Sequence, residues 1–190
     1  MAVRPVVITG TPVLHRPAAR VTAFDDELRA LVEDMYETMD AAHGVGLAAP
    51  QIGVGLRIFT YAFRNDDGVP PRGVLVNPVL TLGKVSQEAP DPDEEAEGCL
   101  SVPGHSWPLK RADWVRVAGF DAGGRPVDFE ANGWFARVMQ HEYDHLDGKL
   151  YVDRLNDKWG RKARRAVKAE GWGRGESSWL PGVDEDPFGH

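Results

Sequence analysis

Cysteine is almost absent from this sequence of 190 residues, which contains Cys99 alone. One cysteine cannot form a disulfide within the chain, so hydrophobic burial has to stabilise the fold without such cross-links. A lone thiol is typical of a reducing compartment and stays free to act as a ligand or a nucleophile. No stretch approaches the roughly 18 apolar residues of a transmembrane helix, and the first apolar run is too short for a signal peptide. We therefore expect a cytoplasmic protein with no membrane partner.

Positive charge is also in deficit, since 22 basic residues face 29 acidic ones and the net charge is −7. This balance argues against a surface devoted to nucleic acid and against sequence-specific binding to it, although it allows a local basic patch. Hydrophobic residues make up 42% of the chain, which is an ordinary globular share. A chain of this size buries roughly 70% of its unfolded surface and so can fold without metal or disulfide staples.

The hydrophobic periodicity predicts helices at both ends of a run of strands. Residues 25–41 and 132–148 read as helices, and the apolar positions of the first share one face at Leu28, Leu31, Val32, Met35 and Met39. Strands are expected at 57–63, 74–82, 114–120 and 126–130, with a turn at 121–124 joining the last two and Pro78 interrupting the second. The Gly-rich segment 43–53 and the acidic segment 86–97 read as loops. This order favours an α+β fold with an antiparallel sheet over alternating βαβ units.

The motif with the clearest chemistry is His141-Glu-Tyr-Asp-His145. On a helix the two histidines lie about 40° apart around the axis, so both imidazoles can reach one metal ion, while Glu142 can reach a water beside it. One face of this helix would be buried in the core and would exclude water from the site. Its residues are Phe135, Val138, Met139, Glu142 and Leu146. The plainer interpretation is a core helix with two hydrogen-bonded histidines. It would bury both histidines and Glu142 together without a ligand, which is energetically costly.

A catalytic metal site needs a third protein ligand and one open position. The downstream ligand typical of metalloproteases is not evident, because Glu170 has no supporting motif and His190 is terminal. Cys99 is the attractive third ligand, and Gly98 before it permits close backbone approach. Gln51 ends the segment Gly44-Val-Gly-Leu-Ala-Ala-Pro-Gln51; its amide could donate to an oxyanion, although the local pattern alone favours an exposed loop amide.

Three motifs therefore stand in order, and together they resemble the peptide deformylases: Gly44-Val-Gly-Leu-Ala-Ala-Pro-Gln51, Glu97-Gly-Cys-Leu-Ser101 and Gln140-His-Glu-Tyr-Asp-His145. The resemblance spans about residues 8–155 and departs from the family at Trp134 and Phe135, where smaller aliphatic residues are commoner. It implies antiparallel sheets around a central HExxH helix, with a C-terminal helix and an irregular tail. It also implies that a metal-bound water removes the formyl group of N-formyl-methionine from nascent peptides. The family's usual ion is Fe(II), with zinc, nickel or cobalt as substitutes.

The resemblance further implies a role for each matched residue. The metal ligands would be Cys99, His141 and His145, and the general acid/base would be Glu142. The oxyanion would be held by Gln51 and the backbone N–H of Leu100. The peptide would meet the main chain of Val45, Gly46 and Gly98, while Trp134, Val138 and His141 would face the methionine side chain.

Beyond the matched region, the charge pattern reverses. Residues 154–168 contain one acid, Asp157, and seven basic residues: Arg154, Lys158, Arg161, Lys162, Arg164, Arg165 and Lys168. We expect residues 1–153 to form the catalytic domain and 154–190 to form a basic helix with a Gly/Pro/Trp tail. The apolar face of that helix would be Trp159, Ala163, Ala166 and Val167. A solvated surface helix and a ribosome-docking helix both fit this pattern.

Two other functions remain open at this stage. A zincin-type metallopeptidase would share the HExxH helix but would need a downstream third ligand and would cleave internal peptide bonds. A non-catalytic metal-binding paralogue would need neither Glu142 nor Gln51, so the presence of both residues argues against it.

Overall fold

The computed structural model describes residues 2–66, 68–173 and 177–189, and within these ranges the chain forms three α-helices and nine β-strands. The helices are α1 (Asp26–Ala41), α2 (Gly133–Leu146) and α3 (Asp157–Ala169). The strands are β1 (Val6–Val7), β2 (Gly46–Ala48), β3 (Ile58–Ala62), β4 (Arg72–Leu82), β5 (Ala96–Cys99), β6 (Val102–Pro108), β7 (Trp114–Phe120), β8 (Pro126–Asn132) and β9 (Ser178–Trp179). None of these helices combines the length and apolar character that a membrane span requires.

Five strands form one antiparallel sheet in the order β2-β3-β4-β7-β8, while β5 pairs with β6 and β1 pairs with β9. The α+β class with antiparallel sheets is therefore confirmed. The predicted hairpin is also present, because β7 pairs with β8 from Trp114↔Asn132 to Phe120↔Pro126. Asp121 closes its turn, since its carboxylate accepts hydrogen bonds from the backbone N–H groups of Gly123 and Arg125.

Pro78 bends β4 without ending it. The pairing of β4 with β7 shifts register between Val76 and Val79, and Asn77 at that bulge has a φ of 51°. The Asn77 side chain is held on both sides by the backbone of Val21, accepting from its N–H and donating to its carbonyl at 2.9 Å each. A bulge tolerates proline because it removes the ladder hydrogen bond that proline cannot make.

Both predicted helices form, and each buries the face that its periodicity indicates. Helix α1 begins after Asp25, whose carboxylate accepts from the N–H of Leu28 at 3.0 Å and so caps the helix. Its apolar stripe packs into a core cluster shared with β3 and β4. Helix α2 packs Phe135, Met139 and Leu146 against the five-stranded sheet. The HExxH residues thereby stand on a rigid element of the core.

Several short segments differ from the sequence-based expectation. The Gly-rich segment expected to be a loop contains β2 and a 3₁₀ turn at Ala49–Ile52, and the end of the acidic segment forms β5. Strand β6 was not expected, and the tail contains β9. Arg154 closes the 3₁₀ turn Tyr151–Arg154, so α3 begins three residues later than the charge pattern suggests. Strand β9 pairs with β1 near the other end of the chain, and local periodicity does not report such pairing. Strands β5 and β6 pair with each other, but a register shift between Gly98 and Cys99 interrupts their regular alternation.

Gly148 ends the turn that follows α2 and offers a test of how tightly that helix is held. It has a φ of +71°, and a Cβ there would lie 2.6 Å from the carbonyl carbon of Arg16. Gly53 has a comparable φ of +80° with no atom within 4 Å of its Cβ position. We expect Gly53→Ala to lower the free energy of unfolding by about 1–2 kcal/mol through backbone strain alone. Gly148→Ala should lower the free energy of unfolding by about 1–3 kcal/mol more than Gly53→Ala, because the backbone of Arg16 has to move.

Urea denaturation of the two variants and the wild type measures both losses. Equal destabilisation by Gly148→Ala and Gly53→Ala would show that the chain near Arg16 yields freely and that this contact does not hold the end of α2.

Candidate metal centre

Helix α2 and strand β5 bring the three predicted ligands together. His141 and His145 lie one turn apart on α2, and Cys99 is the last residue of β5. Their donor atoms all lie within 4.8 Å of one another, and the sulfur of Cys99 is 3.4 Å from Nε2 of His145. Cys99 and His145 are buried and His141 is partly buried. A thiolate and two imidazoles at this spacing suit a divalent ion of the late first transition row.

The surroundings of His145 and Cys99 fit such an ion. Burial lowers the pKa of His145 well below its ordinary value, and the positive charges of His141 and Arg111 lower it further. His145 is therefore neutral, which is the form that binds metal. Two N–H groups, from the Gln51 amide at 3.7 Å and the Ser101 backbone at 3.4 Å, donate to the Cys99 sulfur. These donors stabilise negative charge on the sulfur.

His141 differs from His145 because it faces an anionic partner. Burial alone would lower the pKa of His141, but Cys99 and the carboxylate of Glu97 outweigh it and raise that pKa well above its ordinary value. Nδ1 of His141 lies 3.0 Å from Oε2 of Glu97, so Nε2 is the nitrogen that remains to serve as a ligand atom. Ligand histidines commonly hold a carboxylate on the nitrogen remote from the ion, and this contact sets the ring orientation.

Glu142 projects into the site from between the two histidines. Its side chain is buried, and burial raises its pKa to about 7. Within the described residues its Oε2 atom has no hydrogen-bond partner. Gly46 on β2 makes room for it, since a Cβ on Gly46 would lie 2.3 Å from Oε1 of Glu142. The second glycine of the Gly-x-Gly segment is therefore required by the Glu142 carboxylate.

Gln51 is buried at 1% exposure, so the local interpretation of an exposed loop amide was wrong. Its Oε1 atom accepts from the backbone N–H of Ala48 at 2.8 Å, which orients its NH₂ group toward Cys99 and Ser101. By contrast, a Cβ on Gly98 would meet no atom within 4 Å. The protein itself does not pack closely against Gly98, and its backbone borders open space.

One cavity of about 250 Å³ opens onto this centre. It is lined by nearly all the residues that the sequence nominated: Val45, Gly46, Gln51, Gly98, Cys99, Leu100, Trp134, Val138, His141 and Glu142. His145 lies behind them, fully buried. The cavity is also lined by Glu97, Arg137 and Phe188, to which the sequence assigned no role. Trp134 stands at the mouth with 48% of its surface exposed.

Glu97 is the most important residue that sequence reasoning missed, because it was grouped with the acidic loop. Its carboxylate is buried and accepts two hydrogen bonds from Arg111, at 2.8 and 2.9 Å, and one from Arg137 at 2.7 Å. Burial raises the pKa of Glu97, but the hydrogen bonds from Arg111 and His141 outweigh it and hold that pKa well below its usual range. Its position two residues before Cys99 was the available signal, because alternate strand residues share a face.

The network continues through Asp144, which lies inside the HExxH motif and to which the sequence assigned no role. Nη1 of Arg111 donates to Asp144 at 2.6 Å, and Arg154 donates to the same carboxylate through Nε at 2.6 Å and through Nη2. Glu97 and Asp144 are therefore joined by one buried guanidinium. This chain of ion pairs connects β5, α2 and the turn that precedes α3.

The α+β fold, together with a Cys/His/His donor set that could hold one metal ion, indicates the class of metal-dependent hydrolases. The profile of the family described as Polypeptide deformylase matches residues 3–160. The chain belongs to this family of metal-dependent hydrolases, which remove N-formyl groups from nascent peptides.

The similarity extends over the whole chain in curated relatives. The peptide deformylase of Mycolicibacterium paratuberculosis is 55% identical over 197 aligned positions, covering 100% of both chains, and that of Mycolicibacterium smegmatis is 52% identical with the same coverage. The crystal structure of the Thermus thermophilus peptide deformylase is 42% identical, covers 88% of this chain and 95% of its own, and superposes with a TM-score of 0.76. A Synechococcus elongatus peptide deformylase in complex with actinonin is 38% identical, covers 88% and 87%, and gives 0.74.

The buried network makes a quantitative prediction about stability. Arg111→Met removes the guanidinium that serves Glu97 and Asp144 and leaves two buried carboxylates short of a partner. We expect it to lower the free energy of unfolding by about 3–5 kcal/mol, as breaking one side of a buried ion pair does. Arg116→Met is the matched control, because Arg116 pairs with Asp128 on the exposed face of the sheet.

Urea denaturation of both variants measures the difference. Arg116→Met should unfold close to the wild type, since exposed ion pairs contribute little. A small, similar loss in the two variants would show that the Glu97–Arg111 pair does not support the fold.

Proposed function

We propose that this chain hydrolyses the N-formyl group of peptides beginning with formyl-methionine, releasing formate and the free amine. One observation carries the proposal: three metal-ligand donors and the Glu142 carboxylate meet at the buried end of a single cleft of about 250 Å³. We infer that the buried end of this cleft admits the small formyl group and excludes longer acyl groups, which would separate a deformylase from a peptidase with related chemistry.

Cys99, His141 and His145 would hold one divalent ion, and we propose Fe(II) as the ion in the cell, with zinc, nickel or cobalt able to replace it. The donor set supports an ion of this group, whose members share a preference for nitrogen and sulfur. When bound, such an ion polarises a carbonyl and lowers the pKa of water toward about 7.

Glu142 would take the proton of the attacking water and deliver it to the leaving amine. A general acid/base works best when its pKa lies near the working pH, and burial brings the pKa of Glu142 to about 7. The Gln51 amide and the backbone N–H of Leu100 would donate to the formyl oxygen as negative charge develops on it. Gln51 supports this role because its carbonyl is already held by Ala48, so its NH₂ group is oriented before substrate arrives.

The remaining lining would select the substrate. The main chain of Val45, Gly46 and Gly98 borders the cleft and would bind the peptide backbone. The side chains of Trp134 and Val138, with His141, would contact the methionine side chain. An apolar wall of this kind favours methionine through burial of its apolar surface.

The two alternative functions are less well supported. Glu170, which has no supporting motif as the downstream ligand of a zincin, lies on the surface, contacts His105 at 3.2 Å and does not belong to the group of three donors. His190 lies outside the described residues. A non-catalytic role would not require a buried Glu142 or an oriented Gln51. Formate release from formyl-Met-Ala, set against digestion of casein, distinguishes these functions directly.

Substitutions at Glu142 and Cys99 should separate catalysis from metal binding. Glu142→Gln keeps the shape of the side chain and the three donors, so we expect stoichiometric metal with a loss of kcat of about 10²-fold or more. Cys99→Ser replaces a thiolate with a neutral hydroxyl, so we expect loss of both metal and activity. Metal analysis of anaerobically purified protein and a formate assay give the two readouts.

The outcomes are distinct for the two residues. A Glu142→Gln variant that retains more than about a tenth of the wild-type kcat would exclude the general acid/base role. Full metal occupancy in Cys99→Ser would place the third ligand elsewhere.

We propose further that residues 1–153 form the catalytic part and that 154–190 form an extension whose helix docks on the ribosome. Helix α3 turns Ala163 inward, with Trp159 and Ala166 packed against the same cluster. The seven basic residues of 154–168 are all exposed, although Arg154 also reaches Asp144. A cationic helix gains affinity for RNA by releasing counterions from phosphates, and nascent substrates emerge from an RNA-rich particle.

Charge reversal tests the docking helix. Replacing three exposed basic residues of α3 with Glu should abolish co-sedimentation with ribosomes at low salt: Arg161, Arg165 and Lys168. The matched control reverses three exposed basic residues elsewhere and should co-sediment like the wild type: Arg20, Lys84 and Lys149. Binding by the wild type should weaken steeply as salt rises. Equal loss of co-sedimentation in both triple variants, or no co-sedimentation of the wild type with ribosomes, would contradict the proposal.

A further inference from the structure

The tail beyond α3 returns to the body of the protein at the edge of the catalytic cleft. Strand β9 pairs antiparallel with β1, with Val6 opposite Trp179, and the N–H of Ile8 donates to the carbonyl of Ser177 at 2.8 Å. Trp179 is buried at 8% exposure. Residues 177–189 are thus tied to the N-terminal arm by backbone hydrogen bonds and by a buried indole.

The same tryptophan ties the tail to the metal-binding segment. Its indole N–H donates to the carbonyl of Leu100 at 3.0 Å, and Leu100 directly follows Cys99. Further along, the carbonyl of Pro187 passes close over β6, where a Cβ on Gly104 would lie 3.2 Å from it. The last part of the tail is therefore seated against the strands that surround the centre.

These contacts place Phe188 at the cleft. Its ring lies 6.3 Å from that of Trp179 and packs on a buried cluster of Val6, Ile8 and Ala42. It also lines the cavity that contains the metal donors. Phe188 is therefore part of the cleft wall, although it lies 28 residues beyond residue 160, where the match to the family profile ends.

The cleft has a buried floor and an open rim, and this division assigns Phe188 to one part of the substrate. The floor is formed by Gln51, Cys99 and Glu142, each at most 4% exposed, whereas Val45 and Trp134 at the rim are about half exposed. Phe188 is partly exposed, less so than Val45 and Trp134, and it lines the same cavity outside the buried floor. A peptide whose formyl carbonyl reaches the floor must pass its later residues across the rim.

We propose that Phe188 is a specificity-determining residue that contacts the side chains following the formyl-methionine and favours apolar ones. The inference rests on the proposed function and adds a substrate preference to it. A phenyl ring at the rim, opposite other apolar lining residues, stabilises apolar side chains by removing their surface from water. Alanine or polar side chains at the same place bury less apolar surface and are therefore stabilised much less.

The test measures kcat/KM for formyl-Met-Leu-Leu and for formyl-Met-Ala-Ala with the full-length, metal-loaded protein. The ratio of the two values reports selection for apolar side chains and cancels changes in metal content or in the fraction of active protein. We expect the wild type to prefer the leucine peptide, and Phe188→Ala to lower the ratio on the order of tenfold, a typical effect of a lost apolar contact. Phe188→Leu, which keeps an apolar side chain, should retain most of the preference.

Val183→Ala is the matched control, because Val183 is an aliphatic residue of the same tail that is 74% exposed and does not line the cleft. It should leave the ratio unchanged. An unchanged ratio in Phe188→Ala, an equal fall in Val183→Ala, or a wild type without preference would overturn the inference. If Phe188→Ala does not fold, Phe188→Gln provides a polar replacement of more similar size, and a ratio below that of Val183→Ala supports the inference while an equal ratio overturns it. Failure of the wild type to release formate from either peptide would instead refute the proposed function.

Discussion

The bidentate ion pair between Glu97 and Arg111 is the interaction on which the rest of the centre depends. It joins the strand that carries Cys99 to the helix that carries both histidines, since Arg111 also binds Asp144 and Glu97 also contacts His141. Burying these charges carries a desolvation penalty, which is offset only when every donor and acceptor is paired with good geometry. The two carboxylates meet that condition through three arginines, so the network specifies the relative placement of β5 and α2.

The space around Glu142 is a second constraint on the centre. The Glu142 carboxylate occupies the position where a Cβ of residue 46 would lie, so β2 and α2 approach as closely as the glycine allows. This approach excludes water from one side of the carboxylate and raises its pKa to about 7. A neighbouring carboxylate, Glu97, stays ionised because arginines surround it. Two acids in one site thus differ in pKa because their environments differ.

The C-terminal segment has two surfaces with different chemistry. Helix α3 docks by its small apolar face and leaves its basic residues in solvent, while the tail after it returns to the N-terminal arm and reaches the cleft with Phe188. Arg154 connects this segment to the centre, because it pairs with Asp144 on the reverse side of the HExxH helix. The match to the family profile includes Arg154 and ends at residue 160, so the contact with α2 lies within the match and the contact of Phe188 with the cleft lies beyond it.

Sequence alone determined the elements whose signal is local. The α1 stripe, the β7–β8 hairpin and the HExxH helix follow from periodicity, turn chemistry and a four-residue spacing, and Cys99 followed from the need for a third ligand. Only the tertiary structure decided the roles of Glu97, Gly46 and Phe188. Glu97 looked like part of a solvated acidic run until its buried arginine partners were in place, and the need for glycine at 46 depends on a carboxylate 96 residues away. Ion pairing, steric clearance and strand pairing all depend on contacts between distant segments, and such contacts leave no period in the sequence.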